Sequence, residues 1–125
     1  MRNDERFSLT SFLFLSLNNF FYKRNAMIRH IVLFKLKPFT TDAAKAAKLQ
    51  EIKIGLEALP ELISELKLAE VGINMNPAES FDISLVTEFD TMTDLEIYVK
   101  HPDHQAVAKI IREVLESRAC VDSVW

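Results

Sequence analysis

The sequence is poor in the residues that build several common protein classes. Its 125 residues include one cysteine, Cys120, which excludes an internal disulfide and a cysteine-rich zinc site. Two glycines and four prolines are too few for a low-complexity chain. Lysine and arginine number 15 against 18 acidic residues and form no basic block, so we expect no nucleic-acid partner. Apolar residues make up 49% of the chain, enough for the core of one domain.

The first 26 residues differ in composition from the rest. Their apolar run, from Phe12 to Leu17, is shorter than the roughly 20 residues of a membrane span. The start MRNDER mixes charge signs, and no small-x-small cleavage site precedes YKRNAMIRH, so a signal peptide fits poorly. We predict that residues 1–26 are an extension outside the fold, arising from a wrongly chosen start codon. A poor membrane anchor or signal is the less favoured alternative.

The domain is therefore predicted to span residues 27–125, starting at Met27. Its single thiol fits a reducing compartment, so we expect a cytoplasmic protein without membrane association. Strand patterns occur at Ile28–Leu36, 62–73, 81–89 and 119–125. One helix is predicted from Thr41 or Asp42 to about Leu59, and another from Thr91 or Thr93, broken at His101–Pro102. The apolar stripe after the break comprises Val107, Ile110, Ile111, Val114 and Leu115.

The resulting order, β-α-β-β-α-β, is the ferredoxin-like α+β pattern. Two helical segments cover one face of a four-stranded sheet and leave the other face bare. The first strand nevertheless carries apolar residues on both faces, with Val32 and Phe34 on one and Ile31 and Leu33 on the other. A bare apolar face needs a partner, so we expect a homodimer whose sheets pack face to face or curl into a shared barrel.

The stretch YVKHPDHQAV brings Tyr98, His101 and His104 to the predicted helix break. A neutral imidazole can take a proton from a carbon between two carbonyls, and a phenol can donate a hydrogen bond to the developing enolate oxygen. Structural interpretations stand beside this one. Tyr98 also fits a buried core tyrosine, His101 a helix-boundary residue before proline, and His30 a satisfied core histidine.

A metal site is the third interpretation of these residues. His101 and His104, with Asp103 between them, offer too few ligands in a defined geometry, and nothing in the spacing forces His30 to join them. We therefore predict no metal and no other cofactor. Cys120, in the last predicted strand, is expected to be a small buried hydrophobe.

Five segments together resemble the stress-responsive A/B barrel (Dabb) family. They are MIRHIVLFKLK, ALPELI, EVGINMNP, FDISLVTEFDTMTDLEIYVKHPDHQAV and ESRACVDSVW, and YxxHPxH is the most distinctive motif within them. The resemblance covers residues 27–125. It implies a dimeric α+β barrel of ferredoxin-like subunits, in agreement with the pattern above.

The resemblance also implies candidate site residues. One plant member, olivetolic acid cyclase, closes a linear polyketide by an aldol condensation that uses a histidine and a tyrosine. By motif these fall on His104 as base and Tyr98 as donor, and a further pocket histidine falls on His30 as a substrate-binding residue. Another histidine of that enzyme has no counterpart, because Ile83 stands near its position.

These observations lead to two functional expectations. The first is a dimeric barrel that binds a small apolar molecule with a carbonyl group, with polyketide-cyclase-like acid/base chemistry and no cofactor. The second is a non-catalytic stress-response or interaction module whose dimer is the functional unit. A shared cavity at Tyr98 and His104 would favour the first, and a filled interior with an exposed apolar patch would favour the second.

Overall fold

The computed structural model describes residues 27–125. They form strands β1 (Ile28–Leu36), β2 (Leu68–Ile73), β3 (Ile83–Phe89) and β4 (Leu115–Val124), and helices α1 (Asp42–Glu57), α2 (Met92–Lys100) and α3 (Pro102–Val114). The strands pair antiparallel in one sheet with the order β2-β3-β1-β4. This arrangement confirms the predicted ferredoxin-like α+β fold, with its second helical segment divided in two.

The core lies between the helices and one face of the sheet, called here the inner face. Along β1 every second residue from His30 to Leu36 is buried, which is the period of a strand with one face in the core. Val32 lies opposite Leu85 of β3, and both are buried. Helix α1 adds its buried residues to the same cluster: Leu49, Ile52 and Leu56. The sheet order makes β1 an interior strand, as its apolar pattern indicated.

Helix α1 begins where the sequence predicts because Thr41 caps it. The Thr41 hydroxyl accepts a hydrogen bond from the Ala44 backbone N–H at 3.0 Å. The helix ends at Glu57, slightly earlier than predicted, and a 3-10 turn follows at Leu59–Glu61. Pro60 explains this end, since a proline has no backbone N–H with which to continue the hydrogen bonds of an α-helix.

Two strand starts differ from the prediction by several residues. Strand β2 begins at Leu68 because residues 62–67 form turns, in which the N–H of Ile63 donates to the Leu59 carbonyl and the N–H of Leu66 to the Ile63 carbonyl. Strand β4 begins at Leu115, which was predicted in the last helix. Leu115 instead has extended backbone and pairs with Leu36.

The sheet face turned away from the helices, called here the outer face, has an apolar centre. Ile31 of β1 lies between Val86 of β3 and Val121 of β4. In the next row Leu33 lies beside Ala119. Val121 is 61% exposed. Apolar residues in contiguous rows on an exposed sheet mark an association surface.

Each helix within residues 27–125 is too short or too polar to span a lipid bilayer. The predicted extension, residues 1–26, lies outside the described residues.

Candidate functional site

The break between α2 and α3 brings Tyr98 and His104 into contact. Tyr98 lies on α2 and His104 in the first turn of α3, and their ring centroids are 4.3 Å apart. His101 between them has extended backbone, as predicted for a residue before proline, and its Nδ1 accepts a hydrogen bond from the Asp103 N–H at 3.1 Å. The proline thus ends one helix and starts the next, while His101 serves as the helix cap.

Tyr98 is a buried phenol held by aromatic packing. Only 1% of its surface is exposed, and its ring lies 5.0 Å from that of Phe89. Burial raises the pKa of Tyr98 well above its usual range because a phenolate would lose its hydration. The hydroxyl therefore keeps its proton at neutral pH and can donate a hydrogen bond.

His104 is held in one tautomer by the backbone. Its Nδ1 lies 3.0 Å from the carbonyl oxygen of Val99, which can only accept, so Nδ1 carries the proton and Nε2 keeps its lone pair. Burial lowers the pKa of His104; the Val99 bond opposes this, and the charges of His30, Arg112 and His101 reinforce it. Burial is the largest cause of the lowered pKa. The ring is neutral at neutral pH and can act as a base.

The lowered pKa of His104 predicts that the free energy of unfolding falls as the pH drops. The unfolded histidine titrates near about pH 6.5. Because the folded-state pKa is lower, the unfolded state binds the proton first, and protonation favours unfolding. This contribution is complete above the unfolded pKa and is lost as the pH falls towards the folded pKa.

Urea unfolding from about pH 8 to about pH 5 measures the effect, since this range brackets the titration of histidine. We expect His104→Gln to flatten the stability profile below the unfolded pKa, because the variant lacks the group whose pKa folding lowers. Parallel profiles for the two proteins would show that His104 is not the group responsible.

His30 approaches the same region from the sheet. It is a buried residue of β1, and its Nδ1 hydrogen-bonds to the Asp122 carboxylate. Asp122 lies directly opposite His30 in the β1–β4 register, so both side chains are on the inner face. His30 therefore has a hydrogen-bond partner inside the fold, as the structural interpretation requires.

A cavity of about 460 Å³ lies between the inner face and the helices. Tyr98, His104 and His30 all line it, so the three rings named from the sequence share one space. Much of the remaining wall is apolar: Val32, Phe34, Leu56, Leu85, Ile111 and Leu115. Gln105, Arg112 and Arg118 also line it. A cavity of this size and lining is suited to a small, largely apolar ligand with a few polar groups.

Several of these neighbours were not found from the sequence. Asp122 reaches His30 only through the strand register, and no short motif contains both residues. Arg112 and Arg118 lie in a helix and a strand whose orientation depends on the fold. The expectation for Cys120 was wrong, because it is exposed on β4, an edge strand that no other strand of the described sheet covers.

A four-stranded antiparallel sheet with a helix-covered cavity places the protein among ferredoxin-like α+β folds. Residues 28–125 match the family described as Stress responsive A/B Barrel Domain (Dabb), and the chain belongs to this family. The match confirms the resemblance seen in the sequence.

Two relatives of the chain share its fold or its domain, and neither description names a reaction. A dimeric ferredoxin-like protein of unknown function from Bacteroides fragilis is 45% identical, with a TM-score of 0.75 over 79% of this chain and 96% of that chain. A stress-response A/B barrel domain-containing protein of Arabidopsis thaliana is 32% identical over 87 residues. That match covers 69% of this chain and 32% of the Arabidopsis protein, so the chain spans about a third of this relative.

One similar structure is an enzyme. The hydroxynitrile lyase from Passiflora edulis has a TM-score of 0.68 over 81% of this chain and 94% of its own, at 18% identity. A likeness at this level of identity shows the fold alone, since one fold hosts many activities.

Proposed function

We propose that the protein binds a small apolar molecule with a carbonyl group and moves a proton at the carbon beside that carbonyl, without a cofactor. The observation that carries the proposal is the contact between Tyr98 and His104 at one cavity. The phenol keeps its proton while the imidazole is neutral and has a lone pair at Nε2, so an acid and a base stand side by side.

His104 is the proposed base. Its Nε2 lone pair takes a proton from the substrate carbon, and the C–H electron pair moves into the carbonyl group to give an enolate oxygen. The Val99 carbonyl supports this step because its hydrogen bond to Nδ1 favours the imidazolium that forms. In simple exchange Nε2 returns a proton to the same carbon. In an aldol closure the enolate carbon bonds to a second carbonyl carbon and Nε2 gives the proton to the resulting alkoxide, so in both cases the ring ends as it began.

Tyr98 is the proposed donor to the enolate oxygen. Its proton stays on the phenol because burial disfavours the phenolate. A buried hydrogen-bond donor that is held in position before the reaction needs no reorganisation when negative charge develops on the substrate. The apolar wall strengthens this hydrogen bond because it keeps the local dielectric constant low.

His30 is the proposed substrate-binding residue. Its Nδ1 faces the Asp122 carboxylate, which leaves Nε2 for a second polar group of the ligand. A β-dicarbonyl compound suits this arrangement, since one carbonyl can meet Tyr98 and the other His30. The second carbonyl also acidifies the carbon between them, as polyketide-cyclase-like chemistry requires.

A second candidate function is a non-catalytic stress-response or interaction module. The apolar rows around Ile31 and Leu33 on the outer face favour a homodimer, and the Bacteroides fragilis relative is described as dimeric. In this alternative the dimer surface carries the function and the cavity binds no ligand. A ligand test therefore separates the two candidates.

Filling the cavity should abolish ligand binding. Ala108 lines the cavity from α3, and Ala108→Phe would place a ring in the space. We expect benzoylacetone, an apolar β-diketone, to raise the melting temperature of the native protein and not of this variant. At about one hundred times the dissociation constant the ligand stabilises the fold by about 2.7 kcal/mol.

The matched control is Ala46→Phe, which adds the same ring to an exposed position on α1. This variant should keep the full thermal shift. An equal shift in Ala108→Phe would place the ligand outside the cavity and contradict the proposed site. Failure of the whole β-dicarbonyl class to bind the native protein would favour the interaction module.

A further inference from the structure

Three side chains of types that commonly bind metals meet where β1 and β4 pair. His30 Nδ1, Cys120 Sγ and an Asp122 carboxylate oxygen all lie within 4.8 Å of one another. Asp122 lies opposite His30 and Cys120 opposite Val32, so the register turns all three donors to the inner face. Two paired strands thus position the donor atoms, and the sequence pattern alone does not reveal the cluster.

The spacing of the sulfur fits tetrahedral coordination. Cys120 Sγ lies 3.4 Å from His30 Nδ1 and 3.7 Å from Asp122 Oδ1. Zinc bonds of about 2.3 Å to sulfur and about 2.1 Å to nitrogen or oxygen, at tetrahedral angles, place such ligands about 3.6 Å apart. His30 and Asp122 are hydrogen-bonded directly, so these two side chains must move apart to bind one ion. They would do so when the ion replaces the proton between them.

The same three residue types could also form a catalytic triad, but their connections differ from one. In a triad the carboxylate and the nucleophile bond to opposite nitrogens of the imidazole. Here Cys120 and Asp122 both face Nδ1 of His30. The sulfur of Cys120 and the carboxylate of Asp122 lie on the same side of the His30 ring, so all three donor atoms can bind one ion.

We infer that His30, Cys120 and Asp122 bind a divalent transition-metal ion of the zinc type, with a fourth position open to water or a ligand. A thiolate and a carboxylate balance the two charges of the ion, and imidazole with thiolate selects zinc or cobalt over magnesium or calcium. The inference does not depend on proton transfer at His104, because His104 is not one of the three donors. Of the His30 ring, the ion would use only Nδ1.

A second cavity gives the ion a route to the site. This space of about 500 Å³ lies beside α2 and is lined by all three donors together with Glu96, Lys100 and Arg118. Lys100 and Arg118 line this cavity beside the three donors, so they would favour an anionic fourth ligand such as hydroxide or a carboxylate.

Cobalt titration of the full, reduced chain tests the site directly. Bound to a thiolate in a tetrahedral site, Co²⁺ gives a sulfur-to-metal charge-transfer band and intense visible bands. We expect one equivalent of Co²⁺ to bind and Zn²⁺ to displace it. Cys120→Ser should lose the charge-transfer band, and Asp122→Asn should weaken binding about tenfold or more, as loss of a ligand costs at least what loss of its support does.

His101→Gln is the matched control, because His101 and Asp103 form another histidine–carboxylate pair, at 3.7 Å, at the break between α2 and α3. It should leave cobalt binding unchanged. The inference is overturned if no charge-transfer band appears, or if Cys120→Ser and Asp122→Asn bind cobalt as tightly as the native chain. Should Asp122→Asn fail to fold, the Cys120→Ser result alone decides, since this substitution is nearly isosteric at an exposed position. Binding of benzoylacetone is measured separately, so the two proposals can fail independently.

Discussion

Replacing His104 with glutamine is expected to slow carbonyl-directed proton transfer by about 10²- to 10⁴-fold, the usual contribution of a positioned base. Glutamine retains a polar side chain of similar size but has no lone pair of comparable basicity. The reaction can be followed without knowledge of the natural substrate. Acetophenone in D₂O exchanges its α-protons for deuterium, and NMR measures how much the protein accelerates this exchange over buffer.

Two further variants define what the loss means. Tyr98→Phe removes only the hydroxyl, and we expect a loss of about 10²- to 10³-fold, comparable to removal of one oxyanion donor. His101→Gln alters the helix cap beside the cavity and should leave the exchange rate close to that of the native protein. Native activity in His104→Gln would assign the base to another residue, and equal losses in all three variants would indicate a general disturbance of the helix break.

An aspartate in place of Ile31 is expected to convert the proposed homodimer to a monomer. Ile31 lies at the centre of the outer face, between Val86 and Val121. In a face-to-face dimer the new carboxylate would be buried without a partner, at a cost of about 3 kcal/mol or more. Since about 1.4 kcal/mol is a tenfold change, the dissociation constant should rise by at least about 100-fold.

Sedimentation analysis over a range of protein concentrations measures this change. The control is Ile54→Asp, which makes the same substitution at a residue of α1 that is 67% exposed on the helical side. It should leave the association unchanged. If Ile31→Asp remains as dimeric as the native chain, the subunits associate through another surface. If Ile54→Asp dissociates them instead, the helices form that surface.

The spacing of apolar residues and the capping residues were sufficient to predict the elements that have one buried side and one more exposed side. Strand β1 matches its predicted bounds, and Thr41, Thr91 and Pro102 set the helix starts through caps and a fixed backbone angle. Residues 62–67 were misassigned because their buried residues, Ile63 and Leu66, are equally apolar in a turn and in a strand. Only the packing of that turn against the core distinguishes the two, and the sequence does not show packing.

The candidate site likewise contains some residues that the sequence could predict and others that it could not. Tyr98 and His104 lie close together in sequence, so a motif could pair them, and the resemblance to the family added His30. Asp122 and Cys120 join His30 through the register of β1 and β4, which is decided by the whole sheet. The lowered pKa of His104 could not be read from the motif, because its main cause, burial, depends on the cavity wall.

The helix break has a consequence for how new specificities can arise in this fold. An unbroken helix would separate positions 98 and 104 by about 9 Å along its axis, at about 1.5 Å per residue. The turn at Pro102 instead brings the two rings to 4.3 Å within one short peptide. The proposed reacting pair is therefore assembled locally, while Val32, Leu85 and Leu115 reach the cavity from three different strands. Substitutions in those strands can reshape the ligand space without rebuilding the pair, so the chemistry and the choice of ligand can evolve separately.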